Sequence, residues 1–310
     1  MLRHALVLTA GLGTRLQPLT LVRAKPALPV AGEPLIRRII AWLAGQGVTE
    51  LVLNLHHLPH TLTAAVGDGS DLGARVRYSW EQPVVLGSAG GPRHALPMIG
   101  PATSHDAFFI VHGDTMTDLD LKALASAHDA SGALVTMALV PHREPHKYGG
   151  VLTAADGAVT GFAPRGAAAE GSSHFIGVQI ARAEAFRALP DGQASSIRET
   201  YDRLWTTRPG SIRGYICNAA FQDIGTTSDY WTTSFARLGD RPAEQAYGRR
   251  VHIDATARVT QSILWDDVEV GANTVVEECI VTDLVRIPAG SVHRRSVLRR
   301  GDQGLVVSPL

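Results

Sequence analysis

The sequence contains little of what marks several common protein classes. It has two cysteines in 310 residues, Cys217 and Cys279, which lie far apart without CxxC spacing. This pattern supports neither a disulfide framework nor a structural zinc site. No stretch of 18 apolar residues occurs, and no basic segment leads into a long apolar run at the start. We therefore expect a soluble, cytoplasmic protein without a membrane partner.

The chain also lacks net charge. Lys plus Arg number 29 and Asp plus Glu number 29, which gives a formal net charge of zero. This balance argues against a nucleic-acid partner that is recognised through bulk charge. It leaves room for a locally basic pocket that binds a phosphorylated small molecule.

Apolar strand patterns alternate with helical patterns over the first part of the chain. The pattern predicts helices from about residue 34 to 45 and from 121 to 132. It predicts strands at residues 4–10, 51–57, 75–81, 107–114 and 133–140. This alternation is typical of an α/β fold with a doubly wound, mainly parallel, Rossmann-like sheet. We expect it to form one domain over residues 1–240, with ligands at the carboxyl ends of the strands.

An internal repeat of 17 residues begins near residue 245. The units 245–261, 262–278 and 279–295 bring Val251, Val268 and Val285 into one column. A period near 18 with β-branched columns is typical of a triangular β-helix, in which each coil buries its valines by stacking on the next. Irregular hairpins are the alternative. We expect residues 245–310 to form a short left-handed β-helix that packs on the first domain or joins subunits into a homo-oligomer.

The first predicted strand ends in a glycine turn. Gly11 and Gly13 allow backbone amides to approach an anion closely, and Arg15 follows with a forked guanidinium. The turn is not a Walker loop, and Leu16 stands where a dinucleotide fingerprint has its last glycine. Lys25 adds a second cation on a segment stiffened by prolines. A tight structural turn and a phosphate-binding loop remain the alternatives at this point.

Three further features admit a plain structural interpretation. The stretch Val85–Gly91, VLGSAGG, is typical of a flexible surface loop. Asp114 ends a predicted strand and Asp223 precedes Ile224-Gly225-Thr226. Each aspartate alone is more often a turn or helix-cap residue.

Taken together, these motifs resemble those of the sugar-1-phosphate nucleotidyltransferases. The resemblance covers residues 4–235 and rests on AGLGTRLQPLT followed by KPALPVAGEPLI. It implies that the loop holds the phosphates of a nucleoside triphosphate (NTP), and that Arg15 and Lys25 are catalytic. The implied triphosphate-binding residues are Ala10, Gly11, Gly13, Thr14 and Arg15.

The same resemblance assigns roles to the later motifs. It implies that Gln82, or Glu81 beside it, reads the nucleobase with the backbone at Gly87 and Ser88. It implies that Asp114 and Asp223 bind Mg²⁺, whose preferred ligands are oxygens. For the sugar it implies a second set of residues, which comprises Gly149, Arg165, His174 and Phe175.

The sequence departs from the family pattern in one motif. Many members carry Glu-Lys-Pro after the Tyr-Gly segment, where this chain has Phe162-Ala163-Pro164-Arg165. Arg165 is the candidate replacement for the lysine that grips the sugar phosphate. The expected reaction joins an NTP and a sugar 1-phosphate into a nucleotide sugar and pyrophosphate.

Several branches of the family fit the sequence. The resemblance favours a guanylyltransferase that uses GTP and mannose 1-phosphate. A uridylyltransferase acting on N-acetylmuramic acid 1-phosphate, a thymidylyltransferase, and a catalytically silent nucleotide-sugar-binding subunit are the alternatives. An acyltransferase is disfavoured because three to four coils are too few.

Overall fold

The computed structural model describes residues 2–99 and 107–310, which fall into two compact units. The first unit takes its described residues from 1–11, 39–59 and 66–222. The second unit comprises residues 12–38, 60–65 and 223–310. Whether residues 1–240 and 245–310 fold as separate domains stays a prediction.

The first unit is built on a nine-stranded sheet. Its strands in chain order are β1 His4–Leu8, β2 Glu50–Leu55, β3 Arg75–Trp80, β4 Ala107–His112, β5 Val135–Pro141, β6 Gly150–Thr153, β7 Val159–Ala163, β8 Ser173–Arg182 and β9 Ile212–Ile216. The main path runs β7-β6-β8-β4-β1-β2-β3, with β5 paired to β8 and β9 to β5.

Strand direction divides this sheet. Strands β4, β1, β2 and β3 are parallel, as is the β5–β9 pair, whereas β8 runs antiparallel to both β4 and β5. The doubly wound, mainly parallel sheet expected from the sequence is confirmed. The predicted strands are also present, although β1, β2, β3 and β4 end one or two residues earlier than their apolar patterns.

Helices accompany the strands along the chain. The described helices are α1 Leu35–Gly45, α2 Pro59–Val66, α3 Gly87–Ile99, α4 Leu121–Ser131, α5 Glu184–Arg187, α6 Asp202–Thr207 and α7 Thr227–Leu238, with a π-turn at Ser196–Tyr201. Asp120 caps α4 by accepting from the amides of Lys122 and Ala123, and Gly132 ends it in a left-handed conformation. These signals explain why the pattern at 121–132 predicted that helix correctly.

The core of the first unit lies against the central strands. Leu6, Val52 and Ile110 on neighbouring strands are fully buried, as is Phe186 from α5. Near-continuous apolar strands of this kind occur where both faces of a parallel sheet are covered.

The second unit begins with a compact irregular segment. Three short 3₁₀ turns occupy Thr14–Leu16, Leu19–Leu21 and Lys25–Ala27, and a small hairpin joins Pro29–Val30 to Glu33–Pro34. Pro34 therefore ends a strand, and α1 starts one residue later than expected. Helix α7 follows Asp223 and is capped by the Thr226 hydroxyl, which accepts from the amide of Asp229.

The remainder of the second unit is the left-handed β-helix. Three parallel ladders pair residues 17 positions apart, as in His252, Glu269 and Arg286. The other two ladders run through Arg258–Thr260, Val275–Glu277 and Val292–Arg294, and through Ile263–Leu264, Ile280–Val281 and Ser296–Gly301. An antiparallel strand, Gly304–Pro309, pairs with the last of these. The predicted β-helix with its period of 17 is confirmed.

Burial in the β-helix distinguishes valines that face the interior from valines that face outward. Val268, Val285 and Val276 are buried, but Val292 is 56% exposed. The column of Val275 and Val292 therefore faces outward, because side chains alternate between the two faces of a strand. Its neighbour Val276 fills the interior.

Opposite charges face each other between successive coils. Each of these pairs joins residues 17 positions apart; they are Arg249–Asp266, Arg250–Asp267, Arg286–Glu269, Arg294–Glu277 and Arg295–Glu278. Exposed pairs of this kind contribute about 0–1 kcal/mol each. They favour the observed register over a shifted one.

Candidate active site

The glycine turn is an exposed loop whose backbone adopts a conformation that favours glycine. Gly13 lies in the left-handed region, at φ +63°. A methyl group there would lie 2.8 Å from Thr20 Cγ2 and 3.3 Å from Lys25 Cβ. The carbonyl of Gly13 accepts hydrogen bonds from the amide of Leu16 and the hydroxyl of Thr20. Glycine is required at this position, and Thr14 and Arg15 on the following turn are exposed to solvent.

Charged side chains from distant parts of the sequence converge around Gly225. A methyl group on Gly225 would lie 3.5 Å from Arg15 Nη1, 3.4 Å from Asp223 Oδ2 and 3.2 Å from Asp229 Oδ2. Lys25 Nζ lies 3.5 Å from Asp223 Oδ1, and these two side chains are only 11% and 16% exposed. The second unit thus brings Arg15, Lys25 and Asp223 together, as a phosphate-handling site requires.

Sequence reasoning missed Asp229 in this cluster. It is the third residue of α7, whose cap is Thr226, and a Thr-x-x-Asp spacing is a variant of the capping box. That spacing was the available signal, and it points first to helix capping.

In the first unit, Asp114 lies two residues after the end of β4. The amide of Gly113 donates to the carbonyl of Leu8 at the end of β1, and Asp114 Oδ1 lies 3.4 Å from the hydroxyl of Thr115. Asp114 is half-buried. It therefore stands at a carboxyl strand end, where the sequence placed it.

Glu81 has a structural role. It is 1% exposed, and its two carboxylate oxygens accept from the Asn54 side chain at 2.7 Å and from the amide of Leu86 at 2.6 Å. Asn54 Oδ1 in turn accepts from the amide of Thr9 at 2.6 Å. Since both carboxylate oxygens are engaged, the structure gives no support to base reading by Glu81. Gln82 beside it is exposed.

The stretch Val85–Gly91 is not a flexible loop. Helix α3 begins at Gly87, and the carbonyl of Ala194 accepts from the amides of Ala89 and Gly90. A methyl group on Gly87 would lie 2.8 Å from the Ala194 oxygen. The Ser88 hydroxyl accepts from the amide of Ser196 at 2.9 Å. Close backbone packing therefore explains Gly87, and a partner 108 residues away holds Ser88.

Aromatic rings line a pocket of about 460 Å³ in the first unit. The His174 ring lies 4.5 Å from that of Tyr148, 4.8 Å from that of Phe221 and 5.3 Å from that of His142. Burial, followed by the nearby His142, lowers the pKa of His174 from 6.5 to about 4. In the part of the chain that the structure describes, Nδ1 of both histidines is buried without a hydrogen-bond partner. The pocket therefore offers a neutral imidazole and aromatic faces to a polar ligand.

The structure separates the other sugar candidates. Gly149 precedes β6, and a methyl group there would lie 2.9 Å from the Ala163 oxygen. Arg165 is exposed beyond the end of β7. Phe175 lies outside the pocket lining, and its ring makes an edge contact with His112 at 5.5 Å. His174 and Phe175 face opposite sides because they are neighbours on one strand.

Residues of the pocket that sequence reasoning passed over are His142, Arg143, Glu144 and Asn218. The first three follow β5 in the polar run HREPHKYGG. A polar run at a strand end was the only available signal for them.

Comparison with known proteins decides the family. The family model for nucleotidyl transferases matches residues 4–238, and that for the GlmU-like C-terminal hexapeptide matches residues 244–293. The chain belongs to the nucleotidyl transferase family. This confirms its recognition as a sugar-1-phosphate nucleotidyltransferase and hence as an enzyme.

Relatives of this nucleotidyl transferase differ in their substrates. A mannose-1-phosphate guanylyltransferase of Mycobacterium tuberculosis is 29% identical over 302 residues, which cover 94% of this chain and 83% of that protein. An N-acetylmuramate alpha-1-phosphate uridylyltransferase of Neisseria meningitidis is 42% identical over 119 residues, 38% of this chain and 50% of that protein.

A solved structure shares the fold. HddC from Yersinia pseudotuberculosis, also solved with GMP-PN, has a TM-score of 0.65 and 22% identity, with 76% of this chain and 99% of that one covered. At this identity the likeness shows the fold alone.

Two further observations bear on the nucleotidyl transferase. Within residues 2–99 and 107–310, no helix combines the length and apolarity needed to cross a membrane. Nor do the described residues contain a cluster of three or more His, Cys, Asp or Glu side chains suited to a metal ion. Nucleotidyl transferases typically need a divalent metal ion. A site in which two carboxylates share the ion with substrate phosphates has fewer than three such side chains.

Proposed function

We propose that this nucleotidyltransferase transfers a guanylyl group from GTP to mannose 1-phosphate or a similar hexose 1-phosphate, with release of pyrophosphate. The observation that carries the proposal is the convergence of Arg15, Lys25 and Asp223 around Gly225. The Mycobacterium tuberculosis relative, which spans 94% of this chain, supports the choice of guanylyl transfer.

The reaction needs no nucleophile from the protein. An oxygen of the sugar phosphate attacks the α-phosphorus of GTP, and the bond to the departing pyrophosphate breaks. Ala10, Gly11, Gly13 and Thr14 bind the triphosphate through the loop backbone, and Arg15 clamps its oxygens. Lys25 neutralises charge that develops near the reacting phosphorus. Its low exposure strengthens this effect, because charges interact more strongly away from water.

Magnesium is the cofactor that we assign to Asp114 and Asp223. The donor chemistry fits this ion, because both residues offer hard carboxylate oxygens and Mg²⁺ is commonly held by one or two carboxylates plus substrate phosphates. When bound, the ion supplies neutralisation of phosphate charge. The ammonium of Lys25 lies 3.5 Å from Asp223 Oδ1 and orients that carboxylate through charge attraction.

The sugar and the base occupy the first unit in this proposal. The sugar enters the pocket at Tyr148 and His174, beside the backbone of Gly149, where buried imidazole nitrogens need polar partners. Arg165 takes the place of the missing lysine, and Phe175 supports the pocket from the far face of its strand. Gln82, with the α3 terminus at Gly87 and Ser88, contacts the guanine.

A uridylyltransferase acting on N-acetylmuramic acid 1-phosphate is the second candidate. It is favoured by the 42% identity to the Neisseria meningitidis relative, although that match covers only 38% of this chain. Cytoplasmic location and self-association through the β-helix complete the proposal.

A substrate matrix tests the proposed function. GTP, UTP, dTTP, ATP and CTP are each combined with mannose, glucose and N-acetylmuramic acid 1-phosphates and Mg²⁺, and released pyrophosphate is measured. We expect the largest kcat/KM for GTP with mannose 1-phosphate. A maximum for UTP with N-acetylmuramic acid 1-phosphate would select the second candidate. No release with any pair would leave the silent, nucleotide-sugar-binding subunit.

A further inference from the structure

Arg23 is fixed to the β-helix by an unusually complete set of contacts. Its Nε and Nη2 donate to the two oxygens of Asp283 at 2.7 and 2.6 Å, in the forked geometry that gives strong charge-assisted bonds. Nη2 also lies 3.0 Å from Asp266 Oδ2, and the guanidinium stands 5.3 Å from the ring centre of Trp265. One side chain thus engages two successive coils.

This set of contacts, here called the Arg23 clamp (Arg23, Trp265, Asp266 and Asp283), is largely shielded from water. The charged side chains are 15%, 17% and 19% exposed, whereas the arginines of the coil-to-coil pairs are 60–81% exposed. Burial alone would lower the pKa of Arg23, but its bonds to Asp283 and Asp266 outweigh this effect and raise the pKa. The clamp therefore differs from an ordinary surface ion pair.

The clamp is two residues from Lys25 along the chain. Ala24 between them is fully buried, and its amide donates to the Thr61 hydroxyl at 3.1 Å. Two residues span at most about 7 Å of chain. With Ala24 held on one side and Arg23 on the other, the backbone at Lys25 has little freedom to move.

A second connection reaches the far side of Lys25. Trp265 Nε1 donates to the Tyr230 hydroxyl at 3.0 Å, and that hydroxyl donates to the carbonyl of Pro29 at 2.6 Å. Both Trp265 and Tyr230 are fully buried. The segment from Arg23 to Pro29, with Lys25 inside it, is therefore tied to the β-helix at both ends.

We infer that Arg23 is a positioning residue, through which the β-helix holds Lys25 at the distance from Asp223 that the transfer step needs. The inference rests on the proposed function in one respect, namely that Lys25 acts on the reacting phosphates. The β-helix is then a working part of the active site without contributing a residue that touches substrate.

Two variants disturb the clamp to different extents. Arg23→Gln removes the charge and the fork, and Asp283→Asn keeps the shape of the partner while weakening the fork. Arg23→Lys keeps the charge and serves as the conservative rescue. The matched control is Arg250→Gln, which breaks an exposed coil-to-coil pair with Asp267 and leaves the hydrogen bonds of Arg23 to Asp283 in place.

Steady-state pyrophosphate release, with the best pair from the substrate matrix, gives the first readout. We expect Arg23→Gln to lower kcat about tenfold to 100-fold, since misplacement by about 1 Å has effects of that size, with KM for the NTP within about twofold. The kcat values of Asp283→Asn and Arg23→Lys should lie between those of Arg23→Gln and the wild type. Arg250→Gln should match the wild type.

Hydrogen exchange gives a second readout that does not depend on turnover. The amides of Ala27 and Leu28 donate within the turn that contains Lys25. We expect them to exchange about tenfold faster in both clamp variants and unchanged in Arg250→Gln.

The outcomes separate the inference from the function. A lower melting temperature with wild-type kcat and exchange in both clamp variants would overturn the inference, because the clamp would then serve stability alone. A loss of kcat in Arg250→Gln equal to that in Arg23→Gln would overturn the inference as well. If the wild-type chain releases no pyrophosphate with any pair, the proposed function fails, and the exchange rates decide whether the clamp fixes the segment.

Discussion

Single residues around Gly225 show why charge alone does not define this site. Arg15 and Lys25 are separated by only ten positions, but Asp223 comes from nearly 200 residues further along the chain. A methyl group at Gly225 would lie 3.2–3.5 Å from side-chain atoms of Asp229, Asp223 and Arg15, so a larger residue there would compete with these groups for space. The glycine and the charged groups therefore form one arrangement, and substitution of any member changes the surroundings of the others.

Asp114→Asn tests the metal assignment. The amide keeps the shape of the carboxylate but loses its charge, so we expect kcat to fall on the order of 10²-fold or more while the fold is retained. Pyrophosphate release gives the rate, and calorimetric titration of the NTP with and without Mg²⁺ gives the binding. Asp129→Asn, at an exposed position of α4, is the control. Unchanged, Mg²⁺-dependent turnover in Asp114→Asn would refute the assignment.

His174 makes stability depend on pH. Its folded-state pKa of about 4 lies below the usual 6.5. In mildly acidic solution this histidine is therefore protonated in the unfolded chain but stays neutral in the native state. The contribution of His174 to the free energy of unfolding is therefore fully present above pH 6.5 and is lost as the pH falls toward 4. Between pH 7 and pH 5 we expect this histidine to account for about 2 kcal/mol of lost unfolding free energy.

Urea unfolding at both pH values checks this expectation. His174→Phe keeps an aromatic ring that does not titrate, and it should lose about 2 kcal/mol less than the wild type over that range. His60→Gln, at an exposed position, should follow the wild type. The same pH dependence in His174→Phe and the wild type would contradict the assignment.

At the scale of elements, hydrogen bonds through Glu81 join three strands and a helix. The chain of bonds runs from Thr9 after β1, through Asn54 on β2, to Glu81 after β3 and Leu86 before α3. Gly91 on α3 is required because a methyl group there would lie 2.5 Å from Glu81 Oε1. This network holds the carboxyl ends of parallel strands at a fixed spacing.

Glu81→Gln tests the network. Both partners of the carboxylate, the Asn54 amide and the Leu86 N–H, are donors, whereas glutamine offers only one acceptor. One donor then faces another in a buried place, and we expect a loss of about 1–3 kcal/mol of unfolding free energy. Glu50→Gln, which weakens the partly exposed pair with Arg77 on the same sheet, should cost less than about 1 kcal/mol. Equal losses in urea unfolding would show that Glu81 has no special role.

At the scale of the whole molecule, patterns within short stretches of sequence predicted most helices and strands. The sequence did not predict contacts between stretches that are far apart along the chain. Strand and helix periodicity in residues 4–140 and the 17-residue repeat depend on local order along the chain, which a sequence displays directly. The antiparallel β8 and the bond from Ser196 to Ser88 depend on partners far apart in sequence. The outward orientation of Val292 could not be read from the repeat, because an alignment shows columns but not which face each column takes.

The candidate site divides in the same way. Residues that the family resemblance implied, such as Arg15, Lys25 and Asp223, do meet in the second unit. Glu81 stood beside Gln82 as an alternative base-reading residue, because its hydrogen-bond partners, Asn54 and Leu86, leave no mark on the sequence around it. His142 and Phe221 contribute to the pocket through the ring stack on His174, which joins separate segments of the chain.

The pairing of opposite charges at a spacing of 17 restricts how the β-helix can change in length. Inserting or deleting one residue within a coil would change the spacing of 17 for every ladder pair and every ion pair that spans the altered position. Adding or removing 17 residues would preserve both. The second unit can therefore lengthen or shorten only in whole coils, and any such change must leave in place the two coils that hold Arg23.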